Sequence, residues 1–77
     1  MVHELPMAYE RCVAVLNGER TFDVRLNSKE FQKGDRVQYR SFNAPNDEIE
    51  KHLFEITHVM SGGGIEKDYV VFAIKEI

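Results

Sequence analysis

Gly18-Glu19-Arg20-Thr21-Phe22-Asp23-Val24-Arg25-Leu26 joins the end of a helix to a strand, and its reading decides the fold. Phe22, Val24 and Leu26 alternate with Thr21, Asp23 and Arg25, the period of a strand with one face on a core. The alternation predicts Phe22 and Val24 buried, together with Val71 and Ile74 from the last strand. Asp23 and Arg25 then share the non-core face, two residues apart and within reach of each other. Gly18 stands where a helix ends in a left-handed residue.

Upstream, Val2 to Leu5 reads as a short strand. Pro6 suits the first turn of a helix, because its missing N–H would have no partner there. Ala8, Cys12, Val15 and Leu16 recur at helical spacing, so Met7 to Asn17 is predicted as an amphipathic helix. Downstream, Asn27 to Asp35 is polar except for Phe31, which is expected to plug the core from a loop. Strands are predicted over Arg36 to Phe42, Lys51 to Met60 and Tyr69 to Lys75, with 43–47 and the run Ser61-Gly62-Gly63-Gly64 as connections. Val70 to Ile74 is nearly continuously apolar, which predicts a central strand buried on both faces. The order β-α-β-β-β-β defines an α+β class: a five-stranded barrel-like sheet with one main helix.

The chain has 77 residues, room for a single domain over 1–77, with five Phe and three Tyr as bulky core material. No apolar run approaches the roughly 20 residues of a membrane span. The start resembles no signal peptide. One cysteine provides neither a disulfide nor a thiolate metal cluster. The expectation is a cytoplasmic protein with no metal and no cofactor. Net charge is −3, but it is unevenly spread. Arg20, Arg25, Lys29, Lys33, Arg36 and Arg40 outnumber Asp23, Glu30 and Asp35 in one segment, while acids dominate from Ser41 onward.

Gly18-x-Arg20-x-x-Asp23-x-Arg25 resembles the G-x-K-x-x-E-x-R signature of ASCH domains, in the PUA-like superfamily. Arg20 stands at the lysine position and Asp23 at the glutamate position. His3-Glu4-Leu5, Asn27, Phe31-Gln32-x-Gly34-Asp35 and Gly64-Ile65-x-x-x-Tyr69-Val70-Val71 extend the similarity to a branch of short bacterial and phage ASCH-like proteins. That branch often has lysine at Pro6 and glycine at Asp68. The resemblance implies a barrel-like fold that binds RNA or a nucleotide-like ligand in a cleft. Arg20, Asp23 and Arg25 would hold the ligand, His3 and Asn27 would border it, and Lys29, Lys33 and Arg36 would supply a positive field.

Some ASCH-like proteins are small amidohydrolases or ribonucleases, which gives an enzymatic alternative. Arg20 replaces the motif lysine poorly in that role, since a guanidinium stays protonated. No nucleophile with a partnered histidine identifies a catalytic residue. His52 and His58 lie about 20 Å apart along an extended strand, too far to share a metal. Tyr39 and Phe42 are expected to pack in the core rather than stack on bases.

Overall fold

The computed structural model describes residues 1–43 and 48–77. Most of the predicted 43–47 connection, residues 44–47, lies outside the described residues.

The first strand, β1, runs Val2–Met7, two residues further than its sequence suggests, with His3, Leu5 and Met7 buried. Arg36 N donates to Met1 O and Phe42 N to Met7 O, so odd-numbered residues turn their backbone towards β3, the third strand (Arg36–Ser41). Pro6 therefore directs its missing N–H to the open edge, where no ladder bond is lost. Helix α1 starts only at Tyr9 and ends at Leu16, with Cys12 and Val15 buried. Gly18 follows with φ +75°, and Glu19 N donates to Ala14 O at 2.9 Å, the expected left-handed ending.

Strand β2 spans Phe22–Leu26, β4 Phe54–Met60 and β5 Tyr69–Glu76. A 3₁₀ turn over Ile49–Lys51 replaces the beginning predicted for β4, and Ile49 is fully buried there. The five strands form a mixed, curled half-barrel in the order β1-β3-β4-β5-β2. The β1–β3 pair is parallel and the other pairs are antiparallel. The sheet thus has β1 and β2 as its two edges.

The core gathers Leu5, Val37, Tyr39, Ile56, Val70, Phe72 and Ile74 from the sheet, Cys12 and Val15 from the helix, and Ile49 from its 3₁₀ turn. Phe31 joins them from the β2–β3 connection, its ring 4.8 Å from that of Phe72. This is the plug anticipated for that residue. Phe42, expected in the core, is instead exposed just past the end of β3.

The phase predicted for β2 is reversed. Asp23 is 0% exposed, whereas Phe22 is 45% and Val24 is 42% exposed. Val71 is half-buried, and of the four predicted core residues Ile74 alone is fully in the core. The reason lies in β5, whose Val70, Phe72 and Ile74 face inward while Tyr69, Val71 and Ala73 face outward. Phe22, Val24 and Leu26 pair with that outward set. When both faces of a sheet offer apolar neighbours, alternation fixes the period of a strand but not which face turns inward. The inward position at Asp23 is made tenable by dedicated hydrogen bonds. For the same reason β5 is internal in the sheet but not buried on both faces.

Candidate functional site

The inward turn of β2 places Asp23 between two guanidinium groups. Arg25 Nε donates to Asp23 Oδ2 at 2.9 Å, and Arg20 Nη2 lies 3.7 Å from Oδ1. Tyr39 Oη, from the floor of the half-barrel, donates to Oδ2 at 2.9 Å, and Val24 N donates to Oδ1 at 2.8 Å. A carboxylate removed from water requires such a set of donors and cations. Tyr39 in turn is held neutral: burial, then the neighbouring Asp23 carboxylate, pushes its hydroxyl far above the ordinary range. It acts as a fixed donor. The guanidinium of Arg25 also lies 5.9 Å from the Tyr39 ring centre, and that of Arg20 lies 4.7 Å from the Phe22 ring.

A second donor of Arg25 reaches across the seam of the half-barrel. Its Nη2 donates to Pro6 O at 2.7 Å, and Lys29 Nζ lies 3.5 Å from Glu4 O. Between these two bridges and the body of the sheet is a cleft of about 250 Å³, lined by Leu5, Pro6, Arg25, Leu26, Ser28, Lys29 and Phe31. It has an apolar floor, two cations and no carboxylate in its lining. Lys29 also borders a wider groove with Val2, His3 and Glu4 along the open edge of β1.

Arg20 faces elsewhere. It lines a separate cleft of about 260 Å³ between the end of α1 and the strand residues Phe54 and Ile74. Its buried Nε has no hydrogen-bond partner among the described residues. The three motif residues are therefore contiguous, but the two guanidinium groups open on different hollows with Asp23 enclosed between them.

The other residues proposed from sequence scatter. His3 is buried on β1, its Nε2 2.8 Å from Asp35 Oδ2 and its ring 4.7 Å from Phe31. The His3 hydrogen bond, more than any other influence, holds the Asp35 carboxyl below its usual range. Asn27 opens a 3₁₀ turn, donates its N–H to Asp68 O at 2.8 Å and borders a third hollow with Ser28 and Asp68. Asp68 itself has φ +68°, the left-handed conformation that glycine adopts most readily. Lys33 and Arg36 are exposed and do not line the Arg25–Lys29 cleft. Arg40 is engaged by Glu4 and Glu50 at 4.0 and 3.7 Å. The basic segment is thus divided rather than assembled into one patch.

Sequence reasoning missed Tyr39 as the partner of Asp23, and also Ser28 and the Pro6 carbonyl. Tyr39 had the signature of a core residue, but nothing in its neighbourhood pairs it with a position sixteen residues away. Among the described residues there is no cluster of three or more His, Cys, Asp or Glu able to hold a metal. Nor, among the described residues, is any helix long and apolar enough to cross a membrane.

The fold is therefore that of a small α+β half-barrel with a cationic seam. At that level it is similar to the solved crystal structure of hypothetical protein PH0355: TM-score 0.68, 12% identity, all of each chain covered. At such low identity the likeness is one of fold. The family described as "Domain of unknown function (DUF3850)" matches residues 2–74, and the chain belongs to it. No curated protein matches.

Proposed function

We propose that this protein is a binding module for RNA or a nucleotide-like ligand of the ASCH, PUA-like kind, with the ligand seated at the β1–β2 seam. The observation that carries the reading is the cleft itself: Arg25 and Lys29 over an apolar floor of Leu5 and Phe31, with no acid in the lining. A phosphate suits the two cations, and a base or sugar suits the floor. At about 250 Å³ the cleft is slightly smaller than ordinary ligand pockets, which run from about 300 Å³ upward. It fits one nucleotide unit better than a duplex. Asp23, fully enclosed, serves to orient Arg25 and does not touch the ligand.

The same enclosure weighs against the hydrolase alternative, because the motif acid cannot reach a substrate and Arg20 cannot act as a base.

Titration of labelled oligoribonucleotides and mononucleotides across salt concentrations tests the proposal. Each phosphate neutralised on a single strand adds about −0.7 to the slope of log affinity against log salt. Two contacts give a slope of roughly −1.4, and Lys29→Ala should remove about half of it. Arg36→Ala, outside the cleft, should leave the slope unchanged. Absence of binding at low salt would remove the reading.

A further inference from the structure

We infer, on the footing of that ligand reading, that the seam cleft selects a phosphate monoester over the diester within a chain. Such a group is carried by a free nucleotide or by the phosphorylated end of an RNA. The charges around the cleft set this preference. Asp23 lies within ion-pair distance of both Arg25, at 2.9 Å, and Arg20, at 3.7 Å. One carboxylate between two guanidinium groups leaves that trio with positive charge in excess. Arg20 opens on the other hollow, so it offsets Asp23 from behind while Arg25 faces the seam. Lys29 adds a further positive charge, and its Nζ meets a backbone carbonyl, Glu4 O, rather than a carboxylate. Nearby acids are turned to other partners, Glu4 to Arg40 at 4.0 Å and Asp35 to His3 at 2.8 Å. The cleft therefore offers Arg25 and Lys29 with nothing of opposite sign in its lining. At neutral pH a phosphate monoester carries a charge of about −1.5 to −2, whereas a diester carries a single one.

The hydrogen-bonding groups point the same way. Even-numbered residues of β1 turn their backbone to the open edge, where Lys29 meets Glu4 O and Arg25 meets Pro6 O. Both carbonyls are covered by cations, and Glu4 directs its N–H to the same edge. The seam thus presents donors to an incoming group. A monoester with three terminal oxygens accepts more of them than a diester with two. Strand addition by a peptide is disfavoured at this place. Its N–H groups would find both carbonyls taken, and Pro6 has no N–H to offer in return. Size agrees with the charge. About 250 Å³ suits a phosphate with its sugar, and the two bridges span the seam across the path of a continuous chain laid along it.

Isothermal titration of the full chain with matched probes is the test. The probes are a nucleoside 5′-monophosphate, its methyl phosphodiester, and a short RNA with and without a terminal phosphate at either end. The monophosphate should bind about tenfold more tightly than its methyl diester, as expected for one added charge-assisted contact. Lys29→Gln keeps a donor on the side chain but removes its charge, and should bring the monophosphate down to the affinity of the diester. Lys29→Arg should keep the preference, as should Arg36→Ala outside the cleft. Lys29 is exposed, so its variants should stay native by circular dichroism. A terminal phosphate that strengthens RNA binding assigns the monoester to a chain end. A preference confined to the mononucleotide assigns it to free nucleotides. Equal affinity for monoester and diester overturns the inference and leaves the ligand reading standing. So does a preference that survives Lys29→Gln. Failure of every probe to bind removes both.

Discussion

Arg25 Nη2 donates to Pro6 O at 2.7 Å, so one side chain clasps the two open edges of the sheet, β2 and β1. The same guanidinium compensates the buried Asp23 through its Nε. A residue that appears in the sequence as half of a surface ion pair is thus part of what holds the half-barrel closed.

Arg25→Ala should destabilise the protein by about 2–4 kcal/mol in urea unfolding. It leaves Asp23 enclosed without its best-placed cation, and removing one member of a buried pair is strongly destabilising. The partial exposure of Arg25 keeps the effect below the largest values seen for such pairs. An outward Asp23–Arg25 pair would instead predict a change under ~1 kcal/mol. Arg25→Lys should recover only part of the loss, since an ammonium cannot serve Asp23 Oδ2 and Pro6 O together in the geometry of a fork.

Tyr39 and Asp23 should be energetically coupled. Tyr39→Phe removes a donor from a buried acceptor and is expected to lower stability by about 1–3 kcal/mol. A double-mutant cycle with Asp23→Asn should return an interaction energy of roughly 0.5–3 kcal/mol. A coupling near zero would show that the Tyr39 hydroxyl has another partner in solution.

Two groups make stability depend on pH with opposite signs. The Asp35 carboxyl is held below its ordinary value of about 3.8, chiefly by the hydrogen bond with His3. Its contribution is present above that value and disappears as pH falls through the lower folded value. Asp35→Asn should therefore flatten the acid limb of a plot of unfolding midpoint against pH. His52 is raised above its ordinary value of 6.5 by hydrogen bonds to Glu76 and then Glu48. Its contribution is present below 6.5 and is lost as pH rises through the higher folded value. The imidazole signals followed by NMR should titrate above the ordinary value. Glu76→Gln should bring the titration down.

Ile49→Ala should destabilise by about 2–5 kcal/mol, the range for truncating a fully enclosed aliphatic side chain. Phe42→Ala, although it removes more atoms, should fall within about 0.5 kcal/mol because Phe42 is exposed. Chemical denaturation of the two variants side by side checks the contrast. It departs from the sequence expectation, which put Phe42 in the core and made no assignment for Ile49.

That departure shows where sequence reasoning stops. By itself the sequence determined that the chain is α+β, with one helix before four of five strands, Gly18 ending that helix, and Phe31 plugging the core from a loop. These follow from local periodicity, backbone preference and the isolation of one large apolar residue in a polar run. The grouping of Arg20, Asp23 and Arg25 was also readable, because three residues so close along a turn and a strand remain neighbours in most folds. The face on which they lie was not. Phe22, Val24 and Leu26 have apolar neighbours outward on β5, while Asp23 has Tyr39, Arg25 and the Val24 N–H inward. Both orientations of β2 bury or pair something, and only the long-range pairing of β2 with β5 selects one. The seam is decided in the same way. It exists because β1 lies beside β3 and β2 beside β5, so that two strands separated by a helix in sequence become facing edges in space. Alternation is a property of a strand, but inside and outside are properties of the sheet that the strand joins.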